Sequence, residues 1–125
     1  MTSVIHNIST RGDPTGSSIW VTSYRLSYSL DNTVWTDVLD PATGDVMSFP
    51  GNTDENTPQD NSLPEPVLTR FIKLHPLSYN HHISLRWAVN GCFVGQCISS
   101  SITIDHTHLS IKISLLLRYW GCLAC

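Results

Sequence analysis

Residues 20–30 read Trp20-Val21-Thr22-Ser23-Tyr24-Arg25-Leu26-Ser27-Tyr28-Ser29-Leu30. Trp20, Tyr24, Leu26, Tyr28 and Leu30 share one parity, and Ser23, Arg25, Ser27 and Ser29 share the other. Side chains of a strand alternate between two faces, so this pattern predicts a half-buried antiparallel strand with the even positions toward the core. Asp31-Asn32 then reads as a turn.

The same signature repeats outward from this stretch. Residues 34–39 and 46–49 read as short strands flanking Asp40-Pro41-Ala42-Thr43-Gly44-Asp45. There Pro presets φ and Gly is free to take φ > 0, which makes a strong turn. Residues 50–66 read as a long polar loop holding Pro50, Pro58, Pro64 and Pro66. Residues 67–75 alternate again and Pro76 should stop them. Ile83, Leu85, Trp87 and Val89 form a last strand. No helical period precedes Cys92. Several short strands between turn signals predict an all-β sandwich or barrel.

Composition changes at Cys92. Residues 93–125 hold only three charged side chains, Asp105, Lys112 and Arg118. Their isoleucines and leucines would alternate on either side of Asp105-His106-Thr107-His108, which predicts a weak hairpin or a disordered tail. The division expected is therefore residues 1–92 and residues 93–125.

The chain has 125 residues, enough for one domain with a usable core. Hydrophobic residues make up 41% and charged residues 14%, so charge repulsion does not keep it unfolded. The net charge is −3, and the seven Lys and Arg residues are scattered. That argues against nucleic acid as a partner, because phosphate neutralisation needs clustered cations. Lys112 and Arg118 interrupt the longest apolar stretch, so no transmembrane segment is expected. The first nine residues lack a secretory signal pattern, which leaves a cytosolic chain or a piece of a larger protein. No nucleophile elbow, phosphate loop or zinc-protease helix is spelled, so an enzyme is not expected.

Four stretches, in order, resemble the discoidin domain, also called the coagulation factor 5/8 type C domain. The first is residues 20–29 with Asp31 and Trp35. The second is Phe49-Pro50-Gly51-Asn52-Thr53-Asp54 with Thr57-Pro58 and Asn61. The third is residues 66–76, and the fourth is Leu85-Arg86 followed by Gly91-Cys92. The resemblance covers residues 4–92. It implies a jelly-roll β-sandwich of the galactose-binding-like kind, incomplete here. The family's first third has no counterpart, including a cysteine that would pair with Cys92 in a disulfide bond. Position 88 is Ala where the closing signature has an acidic residue or Gly, and residues 93–125 are foreign to the pattern. The resemblance further implies an extracellular or cell-surface binding module for cell adhesion, part of a larger secreted or membrane protein. Its loops at one end would contact a phospholipid surface, a glycan, or a matrix or receptor protein. No cofactor is implied.

Each candidate site has a plainer alternative. The loop before residue 20 is a ligand-end loop by resemblance. Ser18, Ile19 and Trp20 could meet a lipid headgroup layer, or Trp20 could simply begin the core face of its strand. Arg11-Gly12-Asp13 spells the integrin tripeptide, which also arises by chance. Asn7-Ile8-Ser9 is a glycosylation sequon if the chain is secreted, and otherwise a strand-edge Asn. Asp54, Glu55 and Asp60 could hold a cation, or form a solvated turn. His81-His82 reads as a solvated loop pair. Trp35, Asn52, Asp54, Arg70, Arg86 and Cys92 are expected to be structural, with Arg70 and Arg86 ordering strands. Cys92, Cys97, Cys122 and Cys125, with His106 and His108 between, leave open a small zinc protein. A domain fragment with no function of its own is the third reading, because its unpaired strand edges would aggregate.

Overall fold

In the computed structural model, which describes residues 3–93, 96–105 and 111–114, every regular element is a strand. In chain order these are β1 (Ser3–Arg11), β2 (Trp20–Ser29), β3 (Thr36–Asp37), β4 (Phe49–Pro50), β5 (Gln59–Thr69), β6 (Phe71–Asn80), β7 (Ser84–Phe93), β8 (Gln96–Asp105) and β9 (Ile111–Ser114). One sheet runs β5-β1-β7-β8. The other runs β3-β2-β6-β9, with β4 also on β2. All pairings are antiparallel. The chain is an all-β, two-sheet jelly-roll sandwich, as its alternation and its family resemblance imply.

The core lies between the sheets. Ile5, Ile8, Leu85, Trp87 and Val89 face it from one side, and Val21, Tyr24, Leu26, Ile72 and Leu74 from the other. Phe49 stacks on Tyr24 with centroids 5.5 Å apart. Burial pushes the Tyr24 phenol up to about 12, opposed by the Asn61 amide, which donates to its oxygen at 2.9 Å.

Bulges set the phase of the pattern. Ile5 and Ile8 are both fully buried although their parity differs, because His6 is an extra residue in the β1–β7 ladder. In β2 the register slips on both sides of Ser23. That slip inverts the predicted phase at the start of the strand. Val21 is 1% exposed, while Trp20 is only half-buried. Trp20 therefore does not begin the core face. Leu30, expected on that face, is 51% exposed just past the strand end.

Further expectations are corrected. Residues 34–39 and 46–49 contribute only β3, β4 and an isolated Leu39–Val46 bridge. The long loop ends at residue 58. Residues 59–69 are an edge strand in which residues 63–66 oppose His6 alone, so Pro64 and Pro66 owe no ladder hydrogen bond. Residues 67–75 are not one strand: the chain crosses between sheets at Arg70, and the buried Thr69 hydroxyl donates to the Ser29 carbonyl at 2.8 Å. Pro76 does not end its strand, since β6 continues to Asn80 and β2 bulges opposite. Finally, β8 and β9 do not pair with each other. β8 pairs along β7 and β9 pairs with β6, extending both sheets.

Candidate functional site: the loop end of the sandwich

Ladder register brings three connections to one end. Thr10 pairs with Gln59, Arg11 with Arg86, and Trp20 with Asn80. The segments leaving those pairs, residues 12–19, 51–58 and 81–83, therefore all project past the same edge of the sandwich.

Side chains and close backbone contacts lock these loops together. Arg86, on β7, donates from Nε to the Gly12 carbonyl at 2.9 Å, and from one terminal nitrogen to the Glu55 carbonyl at 2.8 Å and Asn56 Oδ1 at 2.9 Å. The buried Asn52 amide donates to the Thr10 carbonyl at 2.8 Å and the Thr57 carbonyl at 3.1 Å. The Ser18 amide donates to Glu55 Oε1, and the Asn80 amide donates to the Ser18 carbonyl at 2.7 Å. A Cβ on Gly12 would lie 2.7 Å from the Ile19 carbonyl oxygen and 2.8 Å from Glu55 Cα. Only glycine lets the two loops meet there.

Asp13 and Asp54 organise their own loops. Asp13 is 4% exposed. Its Oδ1 accepts the Thr15 amide at 2.8 Å and the Thr15 hydroxyl, and its Oδ2 accepts the Ser84 hydroxyl at 2.7 Å. The Thr15 hydroxyl foremost, then Ser84 and the Thr15 amide, hold the carboxyl below its usual value despite burial. Asp54 accepts the Thr57 hydroxyl and amide, each at 2.7 Å, and the Asn56 amide at 3.0 Å, which lowers its pKa too.

The arrangement leaves a shallow cleft of about 510 Å³ lined by Gly16, Ser18, Trp20, Asp54, Glu55, Asn56 and Thr57. Its lining combines an indole with carboxylate, amide and hydroxyl groups. Among the described residues no three His, Cys, Asp or Glu side chains gather as a metal site would require; Asp54 and Glu55 are turned to loop amides.

The structure brings Gly12, Asp13, Ser18, Ile19, Trp20, Asn52, Asp54 and Arg86 to this end. Arg11-Gly12-Asp13 is not presented as an integrin ligand would be, because Gly12 and Asp13 are buried and both Asp13 oxygens are engaged. The exposed loop tip is residues 14–18, Pro-Thr-Gly-Ser-Ser, so Ile19 and Trp20 form no apolar spike. Ser18 itself takes a φ of 59°. Trp35 lies elsewhere, its ring 4.0 Å from Lys73 Nζ. Arg70 is exposed between β5 and β6 rather than on a strand, 5.6 Å from the Phe71 ring. Asn7 sits on an inner strand, not at an edge, and its Oδ1 accepts the Asn90 amide at 3.0 Å. Cys92 pairs with Val4 and Cys97 in the ladder, and its side chain falls outside the described residues. So does the zinc reading that depends on it. Sequence pattern does not single out Asn56 or Asn80; the local signal near Asn56 is the Asp54-x-x-Thr57 turn spacing.

Residues 2–89 match the family model described as the F5/8 type C domain. Mouse coagulation factor VIII is 41% identical over 80 residues, which are 64% of this chain and 3% of that protein. A discoidin-1 chain of Dictyostelium discoideum is 40% identical over 84 residues, 67% of this chain and 30% of that one. The solved structure of discoidin II from the same organism superposes with a TM-score of 0.65 at 34% identity, covering 75% of this chain and 35% of that chain. The chain thus spans less than a third of the length of either curated relative.

Proposed function

The chain belongs to the F5/8 type C domain family, and from that premise we propose that it is a non-catalytic adhesion module whose loop end binds an uncharged glycan. The cleft beside Trp20 carries this reading. A sugar ring offers hydroxyl donors on its edge and an apolar C–H face. A lining that combines an indole with polar side chains complements both. An anionic phospholipid surface fits less well. Its phosphates would meet the Asp54 and Glu55 carboxylates, and the exposed tip of residues 14–18 has no large apolar side chain to insert. Display on the outside of cells, as part of a larger protein, accords with the family.

Neutral mono- and disaccharides titrated against the chain, with indole fluorescence as readout, test the proposal. Saturable binding that Trp20→Ala abolishes without loss of fold supports it. Binding to phosphatidylserine vesicles with no response to any sugar overturns it.

A further inference from the structure

We infer that the outer face of the β1–β7 ladder holds an oxyanion site, built for sulfate or phosphate between Arg11 and Arg86. The inference does not rest on the glycan reading; it uses a neighbouring hollow with its own lining, although Arg86 also ties Glu55 and Asn56 of the cleft.

Arg11 and Arg86 are directly opposite one another in the antiparallel ladder. Opposed residues of such a pair share a face, and like charges there are destabilising, a cost that a bound anion would offset. Among the described residues the one ion pair is Arg25–Asp37, and neither Arg11 nor Arg86 takes part. Arg86 makes only neutral contacts, to two carbonyls and an amide oxygen. Arg11 is exposed.

Three acidic residues lie nearby, and none closes an ion pair with these guanidiniums: Glu55 gives Arg86 its backbone carbonyl while its carboxylate accepts the Ser18 amide. Asp60 is opposite Ser9, and Asp13 feels the Arg86 charge from its buried position.

The next opposed pair on this ladder face is Ser9 with Ala88, two short side chains. They open a hollow of about 260 Å³ lined by Ser9, Arg11, Arg86, Trp87 and Ala88. Two arginines and a serine are thus among the residues that line it. The exposed Arg11 guanidinium has a planar fork to offer a tetrahedral anion, and Arg86, whose Nε and one terminal nitrogen are held by the loops, adds its other terminal nitrogen; being already fixed, it loses little order on binding.

Sodium sulfate and sodium phosphate, against sodium chloride at equal ionic strength, are titrated into the chain with the arginine Nε–H resonances followed by NMR. Saturable shifts of both arginines in the two oxyanions, absent in chloride, are expected. Arg11→Gln should weaken sulfate binding about tenfold or more, the effect of one lost charge-assisted contact. Lys73→Gln, which removes the same charge from the other sheet, should leave it unchanged. Arg86 is spared because its removal would release the loops. Competition of bound sulfate by a sulfated disaccharide or by phosphate-headgroup vesicles identifies which carrier supplies the oxyanion. Equal shifts in chloride, or full sulfate binding by Arg11→Gln, overturn the inference.

Discussion

The Nε–H of Arg86 donates to the Gly12 carbonyl at 2.9 Å, joining the middle of one sheet to the loop that leaves its neighbour strand. The same guanidinium holds the Glu55 carbonyl and Asn56 Oδ1, so one side chain on β7 spans two loops from different parts of the chain. Replacing Arg86 by Lys keeps the charge but loses the fork. We expect a loss of about 2 kcal/mol in urea unfolding, since hydrogen bonds from charged groups contribute about 1.5–3 kcal/mol each and an ammonium recovers part. Arg86→Ala should lose more, and proteolysis within residues 12–19 and 51–58 should quicken.

Close backbone approach predicts a contrast between two glycines. A Cβ on Gly51 would lie 2.3 Å from the Val21 carbonyl oxygen, where the β4 exit is hydrogen-bonded across β2. Gly51→Ala should cost about 2–3 kcal/mol or more, because backbone must move. At Gly16 nothing lies within reach of a Cβ, and the φ of 80° is the sole obstacle. Gly16→Ala should cost about 1 kcal/mol. Equal midpoints in thermal unfolding would contradict the contrast.

The β2 bulge gives the tryptophans different work. Trp87 is 2% exposed in the core, so Trp87→Ala should destabilise by about 3–5 kcal/mol. Trp20 is only half-buried beside the loop cleft, and Trp20→Ala should cost about 1 kcal/mol or less while removing most of the fluorescence response to sugar. Denaturant midpoints of the two variants decide the matter.

Acid should weaken the fold through His75. Burial foremost, then the Arg25 and Lys73 charges, lower its pKa from 6.5 to about 4, and its Nε2 meets the Ser27 hydroxyl at 2.8 Å. The folded form therefore binds fewer protons than the unfolded chain between these values. Stability from this group is complete above pH 6.5 and is lost as pH falls toward 4. The ring is partly solvated, so the loss should be about 1–2 kcal/mol rather than the full linkage value. Unfolding free energies at about pH 7 and about pH 5 measure it, and His75→Gln should flatten the difference.

Much of this is readable along the chain. Alternation in residues 20–30 and 83–89 places the strands that carry Tyr24, Leu26, Leu85, Trp87 and Val89 into the core, because strand periodicity is a local property of successive side chains. The family-like stretches, in their order, locate both the Phe49-Pro50-Gly51-Asn52 loop and Arg86. Residues 59–66 read as loop because two prolines usually forbid a strand, and only a register slip opposite His6 makes them harmless. The role of Asp13 is hidden as well, since its partner Ser84 is 71 residues away.

By itself, then, the sequence determined an all-β sandwich, its family and the loop end, since each follows from short-range pattern or ordered motif. The tertiary structure alone decided which face Trp20 takes, that Asp13 is buried, and that Arg11 meets Arg86. Bulges and ladder register are settled by the partner strand, and the partner of a strand lies far away in the chain.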